Sequence, residues 1–302
     1  MPTEQSTIHA TSVPAAQRGE PIDGPHAVTS CLLLGRMLFT FGASTQRIQD
    51  SIAYLARHLG CTVDMLVSYD ALLITVNDGA TFRTRIDSSR QTAGLTLVGL
   101  VRVSQFLRNL PRSHTSPAAI EHALCAIRDT PPIHSVAAQA LAAGCAGAAF
   151  CIVNGGDPVS WLCSFVAGAF IFAVRRTLAA RGFNFHLTVF AIALAGSLVA
   201  GLLAGITQTV TPAIALIAPV LFLVPGVPMI NGGVDIVDNH VTMGSARIGF
   251  TVAVLVALCL GVGFALPLLP VRIGPPVGPS GPWETVLVSV AGDSRRGARV
   301  PE

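Results

Sequence analysis

Hydrophobic and polar positions divide the chain near residue 134. Before that point, apolar residues recur in short periodic stretches; from 135 to 271 they run almost without interruption. In the first part, Cys31–Phe41 is an apolar run interrupted by Arg36 and too short to cross a bilayer, which predicts a buried helix. Gly42-Ala43-Ser44 breaks the run. Ser44 is placed to cap a second helix whose apolar stripe is Ile48, Ile52, Leu55 and Leu59. Gly60 falls where a C-terminal cap is expected. Three alternating runs follow: Val63, Met65 and Val67; Leu72, Ile74 and Val76; then Phe82, Thr84 and Ile86, with Arg83 and Arg85 on the opposite face. Asn77-Asp78-Gly79 reads as the hairpin turn between the last two. A helix with Leu100, Val103, Leu107 and Leu110 on one side comes next. Ser116-Pro117 opens another, which stops at Pro131-Pro132. Residues 27–134 thus predict an α+β domain of about 100 residues, enough for one core. Residues 1–26 are polar, with neither a basic start nor an apolar core, and predict a disordered tail rather than a signal peptide.

The second part predicts five membrane-spanning helices at roughly 135–153, 158–174, 186–206, 213–230 and 248–270. Small residues at spacing four (Ser164 and Gly168, Gly201 and Gly205, Ala257 and Gly261) suit close helix packing in lipid. The fourth span is broken by Pro225-Gly226 and Pro228, passes Asn231, and meets Asp235 and Asp238 before the next apolar run. A proline inside a helix removes a backbone hydrogen bond. At membrane depth the freed groups are tolerated only against protein or a wet cavity, as in transporters built on broken helices. The alternative is a kinked helix followed by a polar loop. Arg175, Arg176 and Arg181 lie between spans two and three and Arg247 between four and five, whereas the connectors 154–157 and 207–211 carry no basic residue. That asymmetry places the N-terminal domain in the cytoplasm and, with an odd number of spans, the C-terminus outside. Residues 272–302 form a Pro/Gly-rich tail containing Trp283, to which no function attaches.

Composition sharpens this reading. The chain is 51% hydrophobic and only 12% charged, with a mean hydropathy of +0.63. A net charge of +3 with no basic run gives no footprint for nucleic acid. The seven cysteines are scattered without a CxxC pair, and the eight histidines show no ligand spacing, so neither metal nor cofactor is expected.

Three constellations hold candidate chemistry. Gly42-Ala43-Ser44-Thr45-Gln46-Arg47 places free amides at a helix N-terminus, a seat for a carboxylate to which Arg47 could add a bidentate contact; an ordinary capped corner explains the same residues. Ser44 or Thr45 with His58 and Asp70 would make a hydrolase, although no GxSxG elbow is present. The stretch Asp235-Ile236-Val237-Asp238-Asn239-His240 could hold a cation through oxygen ligands, or be the cytoplasmic mouth of span four with solvated carboxylates. Asp157 reads as an interfacial cap for span two.

These residues carry a resemblance. The chain is similar to the N-terminal module of the threonine/serine exporter (ThrE) family: Gly42-Ala43-Ser44-Thr45-Gln46-Arg47 matches its Gly-Ala-x-Thr-x-Arg motif, and Arg85 its later arginine after a strand run. Gly155-Gly156 matches its glycine doublet. Pro225-Gly226-Val227-Pro228, Asp235, Gly244 and Arg247 match its signature in spans four and five. The match covers about 27–270 and departs at Gln49, where the family pattern has an acidic residue. Complete members carry a second group of about five spans, so the chain resembles the larger subunit of the split form, associated with succinate export.

The resemblance implies an inner-membrane exporter subunit for a small polar substrate, embedded in the lipid bilayer. Small amino acids such as threonine and serine are the first expectation, and dicarboxylates such as succinate the alternative. The implied partner is a small separate membrane subunit of four or five spans, or a second copy of the chain. The residues expected to handle substrate or coupling are Pro225, Gly226, Pro228, Asn231, Asp235, Asp238 and Arg247. Arg247 is the expected partner of Asp235, and a motif of Gly42, Thr45, Arg47 and Arg85 belongs to the N-terminal domain. The rival class is a membrane-anchored hydrolase or sensor. An anchor has no need of prolines and a glycine at the centre of one span with acids at its mouth.

Overall fold

The structure is a computed structural model that describes residues 24–79, 81–88, 97–111, 116–131 and 133–269. The tails expected over 1–26 and 272–302 lie outside the described residues, apart from 24–26, which open the first helix. The described residues form two compact units. One holds the chain up to Ser135 together with Pro225–Val256; the other holds Val136–Val224 and the residues from Ala257 onward.

In the first unit, α1 (Gly24–Thr40) and α2 (Thr45–His58) precede a meander of β1 (Thr62–Val67), β2 (Leu72–Asn77) and β3 (Phe82–Asp87), in the order β1-β2-β3 and antiparallel throughout. α3 (Leu97–Arg108) and α4 (Pro117–Arg128) follow. One core joins them: Leu34 and Leu38 of α1, Ile48, Ile52 and Leu55 of α2, Ile74 and Val76 of β2, Val103 of α3, and Ile120 and Leu124 of α4 are all buried. Burying each such side chain fully stabilises the fold by about 1.5–3 kcal/mol relative to exposure. Gly35 lets α1 settle on the sheet. A Cβ there would lie 2.5 Å from Leu72 Cδ2 and 2.8 Å from Ile52 Cδ1. α2 starts and stops as its sequence implies, with the Ser44 hydroxyl accepting from the Arg47 amide and Gly60 at a φ of 74°. Ser116 likewise caps α4, with Pro117 at its first position. Burial pushes the Cys31 thiol up to about 12 and that of Cys61 up to about 11, so both act as protonated apolar filler.

β3 keeps its alternation but turns its charged side, not its apolar side, toward the core face. The register places Arg83 beside Val76, Arg85 beside Ile74 and Asp87 beside Leu72, on the face that carries the core. Phe82 and Ile86 are exposed on the other face. Polar groups of α1 decide this: Arg85 Nη1 donates to Thr29 Oγ1 at 2.8 Å, and Arg36 pairs with Asp87 at 3.3 Å. Alternation alone fits either face of an edge strand.

α9 (Gly226–Val237) and the start of α10 (Val241–Ala265) belong to the same unit. The second unit comprises α5 (Val136–Val153), α6 (Pro158–Ala180), α7 (Phe185–Thr207), α8 (Pro212–Leu221) and the end of α10. α5 and α6 approach closely through small residues: a Cβ on Gly147 would meet Ser164 O at 2.8 Å, and one on Gly168 would meet Ala143 O at 2.8 Å. Gly261 does the same against α7 at Phe190 O, 2.7 Å. α5, α6, α7 and α10 are long and apolar enough to cross a membrane; α8 and α9 make a fifth candidate if that broken pair is one span. The expected boundaries move here. Asp235 lies within α9 rather than in a loop after residue 230, and α10 begins at Val241, so Arg247 is inside the helix rather than before it.

Candidate functional site

α9 opens without a side-chain cap, at Pro225, and carries Pro228 in its first turn, where backbone amides have no helical acceptor to lose. Asn231 and Asp235 stand one turn apart on one face. Gly232 lies between them in sequence. A Cβ on Gly232 would be 3.1 Å from Gly244 O, and one on Gly244 would be 2.7 Å from Gly232 O and 2.6 Å from Ile236 Cγ1. These two glycines let the backbones of α9 and α10 touch, which brings Arg247 onto Asp235.

Four polar groups converge on the corner between α1 and α2. Asn231 Nδ2 donates to Gly42 O at 2.8 Å, where Gly42 turns the chain at a φ of 85°. The Thr45 amide, one of the unpaired donors at the start of α2, gives its hydrogen to Asp235 Oδ1 at 2.9 Å. Arg247 Nη2 donates to Ala43 O at 2.8 Å, and Nη1 lies 3.0 Å from Asp235 Oδ2. That last contact is a charge pair whose N–H is not aligned for a hydrogen bond. Asp235 is 0% exposed and Arg247 2%. Thr45 Oγ1 and Arg247 Nε are buried with no hydrogen-bond partner. Taking two charges out of water costs several kcal/mol per ion, and their attraction offsets this only when geometry and further hydrogen bonds are good. Here the helix end gives Asp235 one such bond and the Ala43 carbonyl gives Arg247 one, while the Nη1–Oδ2 contact itself adds none.

The surroundings complete the site. The His240 amide donates to Asp235 O at 2.7 Å, and His240 Nε2 is 3.3 Å from Gln46 Oε1. Tyr69, between β1 and β2, sets its ring 6.3 Å from that of Phe250, one turn beyond Arg247. Burial and the charge of Asp70 hold the Tyr69 hydroxyl above its ordinary value, against the opposing pull of Arg247.

The structure therefore brings together Gly42, Thr45, Asn231, Asp235 and Arg247. It does not bring in the others. Arg47 Nη2 donates to Ser104 Oγ at 2.7 Å, toward α3, and Arg85 reaches α1. Asp238 is exposed at the end of α9, so of the two acids expected at a solvated mouth only this one is solvated. Gly226 stands about 13 Å along α9 from Asp235 at the helical rise, with Pro225 and Pro228 beside it. Thr45 and His58 occupy opposite ends of α2, about 20 Å apart, so no triad with Asp70 can assemble. Sequence reasoning missed Tyr69, Gly232 and the Ala43 carbonyl. Gly232 and Gly244 were legible as small residues, whereas a tyrosine in a polar loop gives no signal.

Asp157 is a cap, as its position implied. It accepts from the Val159 amide at 3.2 Å, from Ser160 Oγ and Thr211 Oγ1 at 2.6 Å each, and from Thr209 Oγ1. Burial pushes its carboxyl upward, but these donors outweigh it and hold the group well below the usual carboxylate range. Among the described residues no group of His, Cys, Asp and Glu is arranged to hold a metal ion.

Comparison with known proteins places this geometry in context. "Probable succinate transporter subunit YjjP" of Escherichia coli (strain K12) is 28% identical over 246 residues, covering 80% of this chain and 94% of that protein. The protein of the same name from Klebsiella aerogenes is 26% identical over 246 residues, covering 80% and 93%. No solved structure matches. The family model described as "Putative threonine/serine exporter" (ThrE) matches residues 29–269, a span that includes the Gly42–Thr45 corner, Asp235 and Arg247. The chain belongs to the threonine/serine exporter family, a family of transporters.

Proposed function

We propose that this chain is the larger subunit of a secondary exporter of small dicarboxylates of the succinate type, working with a separate small membrane subunit. One observation carries the substrate class: the buried Arg247 guanidinium and the N-terminus of α2 converge on a carboxylate. An amino acid would also need a buried acid for its ammonium group. Asp235 is the one buried acid among the described residues, and Arg247 already neutralises it. The names of the relatives agree with a dicarboxylate and with a role as subunit. The family description supports threonine or serine as the second reading.

In this reading residues 27–134 form a cytoplasmic domain and 135–271 a membrane domain of five helices. The protein sits in the inner membrane with its N-terminus inside and its C-terminus outside, following the arginines at 175, 176 and 181. Pro225, Gly226 and Pro228 keep the α8–α9 break open. Asp235 and Arg247 handle the substrate charge. Alternating access requires a second half to move against, which the small subunit provides.

Efflux of radiolabelled succinate and threonine from cells expressing the chain with and without the cognate small membrane subunit tests this. Succinate efflux that needs both chains is expected. Threonine efflux without succinate efflux would replace the dicarboxylate by an amino acid, and full succinate efflux from this chain alone in liposomes would remove the partner.

A further inference from the structure

Asp235 is held by the two groups that would hold any carboxylate: an amide at a helix N-terminus and a guanidinium, one for each of its oxygens. Asp235 fills this seat only in part: its Oδ2 is itself buried without a hydrogen bond. The Thr45 hydroxyl and Arg247 Nε are buried and lack acceptors, and Arg247 Nη1 faces Asp235 Oδ2 without a hydrogen bond. Buried polar groups are nearly always satisfied, so donors left over in one place point to an acceptor that arrives from outside the chain.

We infer that Asp235 is a resident stand-in for the transported carboxylate: it occupies the anion seat on Thr45 and Arg247 when substrate is absent, and a substrate carboxylate displaces it. The inference rests on the carboxylate-export reading above. The two oxygens of the incoming carboxylate take the Thr45 amide and Arg247 Nη1, and the remaining lone pairs of the same oxygens accept from the Thr45 hydroxyl and Arg247 Nε. The groups facing the seat are Thr45 from α2, Arg247 from α10, Tyr69 from the β1–β2 connection, and Asn231 and His240 from α9 and its end; of these Arg247 is the buried cation. Competition between an internal and an external carboxylate keeps affinity low enough for release, and it returns the seat to a neutralised state after each cycle.

Removing the internal competitor should tighten binding while stopping export, because nothing then expels the substrate. The full-length chain, purified in detergent and free of carboxylate buffers, is titrated with radiolabelled succinate and, separately, threonine. Asp235→Asn is expected to bind succinate at least tenfold more tightly than the wild-type chain, Asp235→Ser to behave alike, and Arg247→Gln to lose binding. Unlabelled acetate should compete for the Asp235→Asn seat, since one carboxylate suffices to enter it. Equal or weaker succinate binding by both Asp235 variants, each shown folded by a cooperative melt, overturns the inference; if the wild-type pair of subunits still exports succinate, the proposed function stands without it. Tighter binding of threonine but not of succinate keeps the stand-in role and overturns the dicarboxylate reading instead.

Discussion

Gly244→Ala tests whether the close contact of α9 and α10 creates the site. The added Cβ would lie 2.6 Å from Ile236 Cγ1 and 2.7 Å from Gly232 O, and the second of these is backbone that cannot rotate away. Ordinary carbon contacts lie near 3.5–4.0 Å, so the helices must separate locally by about 1 Å. The Arg247–Asp235 contact, now 3.0 Å, would open toward 4 Å. Overpacking of this kind costs about 1–3 kcal/mol, reduced by the gain of about 1 kcal/mol from replacing glycine in a helix. Gly249→Ala is the matched control: it lies in the same helix with nothing within 4 Å of its added Cβ. Thermal melting of the detergent-purified chains, with succinate efflux measured in parallel, should show Gly244→Ala destabilised and inactive and Gly249→Ala unchanged or slightly more stable. Equal melting and equal efflux for the two variants would refute the reasoning.

Asp235→Asn and Arg247→Gln should each destabilise the chain by about 3–5 kcal/mol, because each leaves the other group buried without its partner; the double variant should lose much less than their sum, read from a double-mutant cycle of unfolding midpoints. Asp157→Ala should lower stability by about 1 kcal/mol near neutral pH, as the loss of a cap does. The folded carboxyl of Asp157 lies below its unfolded value, so its contribution is present above the unfolded value of 3.8 and fades as pH falls further; the gap between wild type and variant should hold from pH 7 to about 5 and narrow below about 4. A reporter fused after residue 112 should be active only in the cytoplasm and one after residue 270 only outside, and the opposite pair of results would reverse the orientation.

Much of the N-terminal fold was legible because its signals are local. Ser44, the Ile48-Ile52-Leu55 stripe and Gly60 define α2 within one short stretch, and the structure follows them. β3 was ambiguous for a physical reason: its partners Thr29 and Arg36 lie far upstream, and they draw Arg85 and Asp87 onto the core side. From the sequence alone Asp235 looks solvated. An acid after an apolar run resembles the end of a span, and only its pairing with Arg247 and the Thr45 amide, 190 residues away in sequence, explains why Asp235 is buried inside a helix. The motif at Gly42–Arg47 and the signature from Pro225 to Arg247 were both visible in the sequence. That they meet at one corner, while Arg47 and Arg85 turn elsewhere, depends on long-range packing.

In the proposed cycle the buried Asp235–Arg247 pair, and not the exposed Asp238, handles the transported carboxylate. Succinate efflux from cells carrying Asp235→Asn, Arg247→Gln or Asp238→Asn, each co-expressed with the small subunit and normalised to membrane abundance, measures this directly. The account expects the first two variants to lose export while Asp238→Asn stays near wild type, since an exposed charge contributes about 0–1 kcal/mol. Near-wild-type efflux from Asp235→Asn would contradict it.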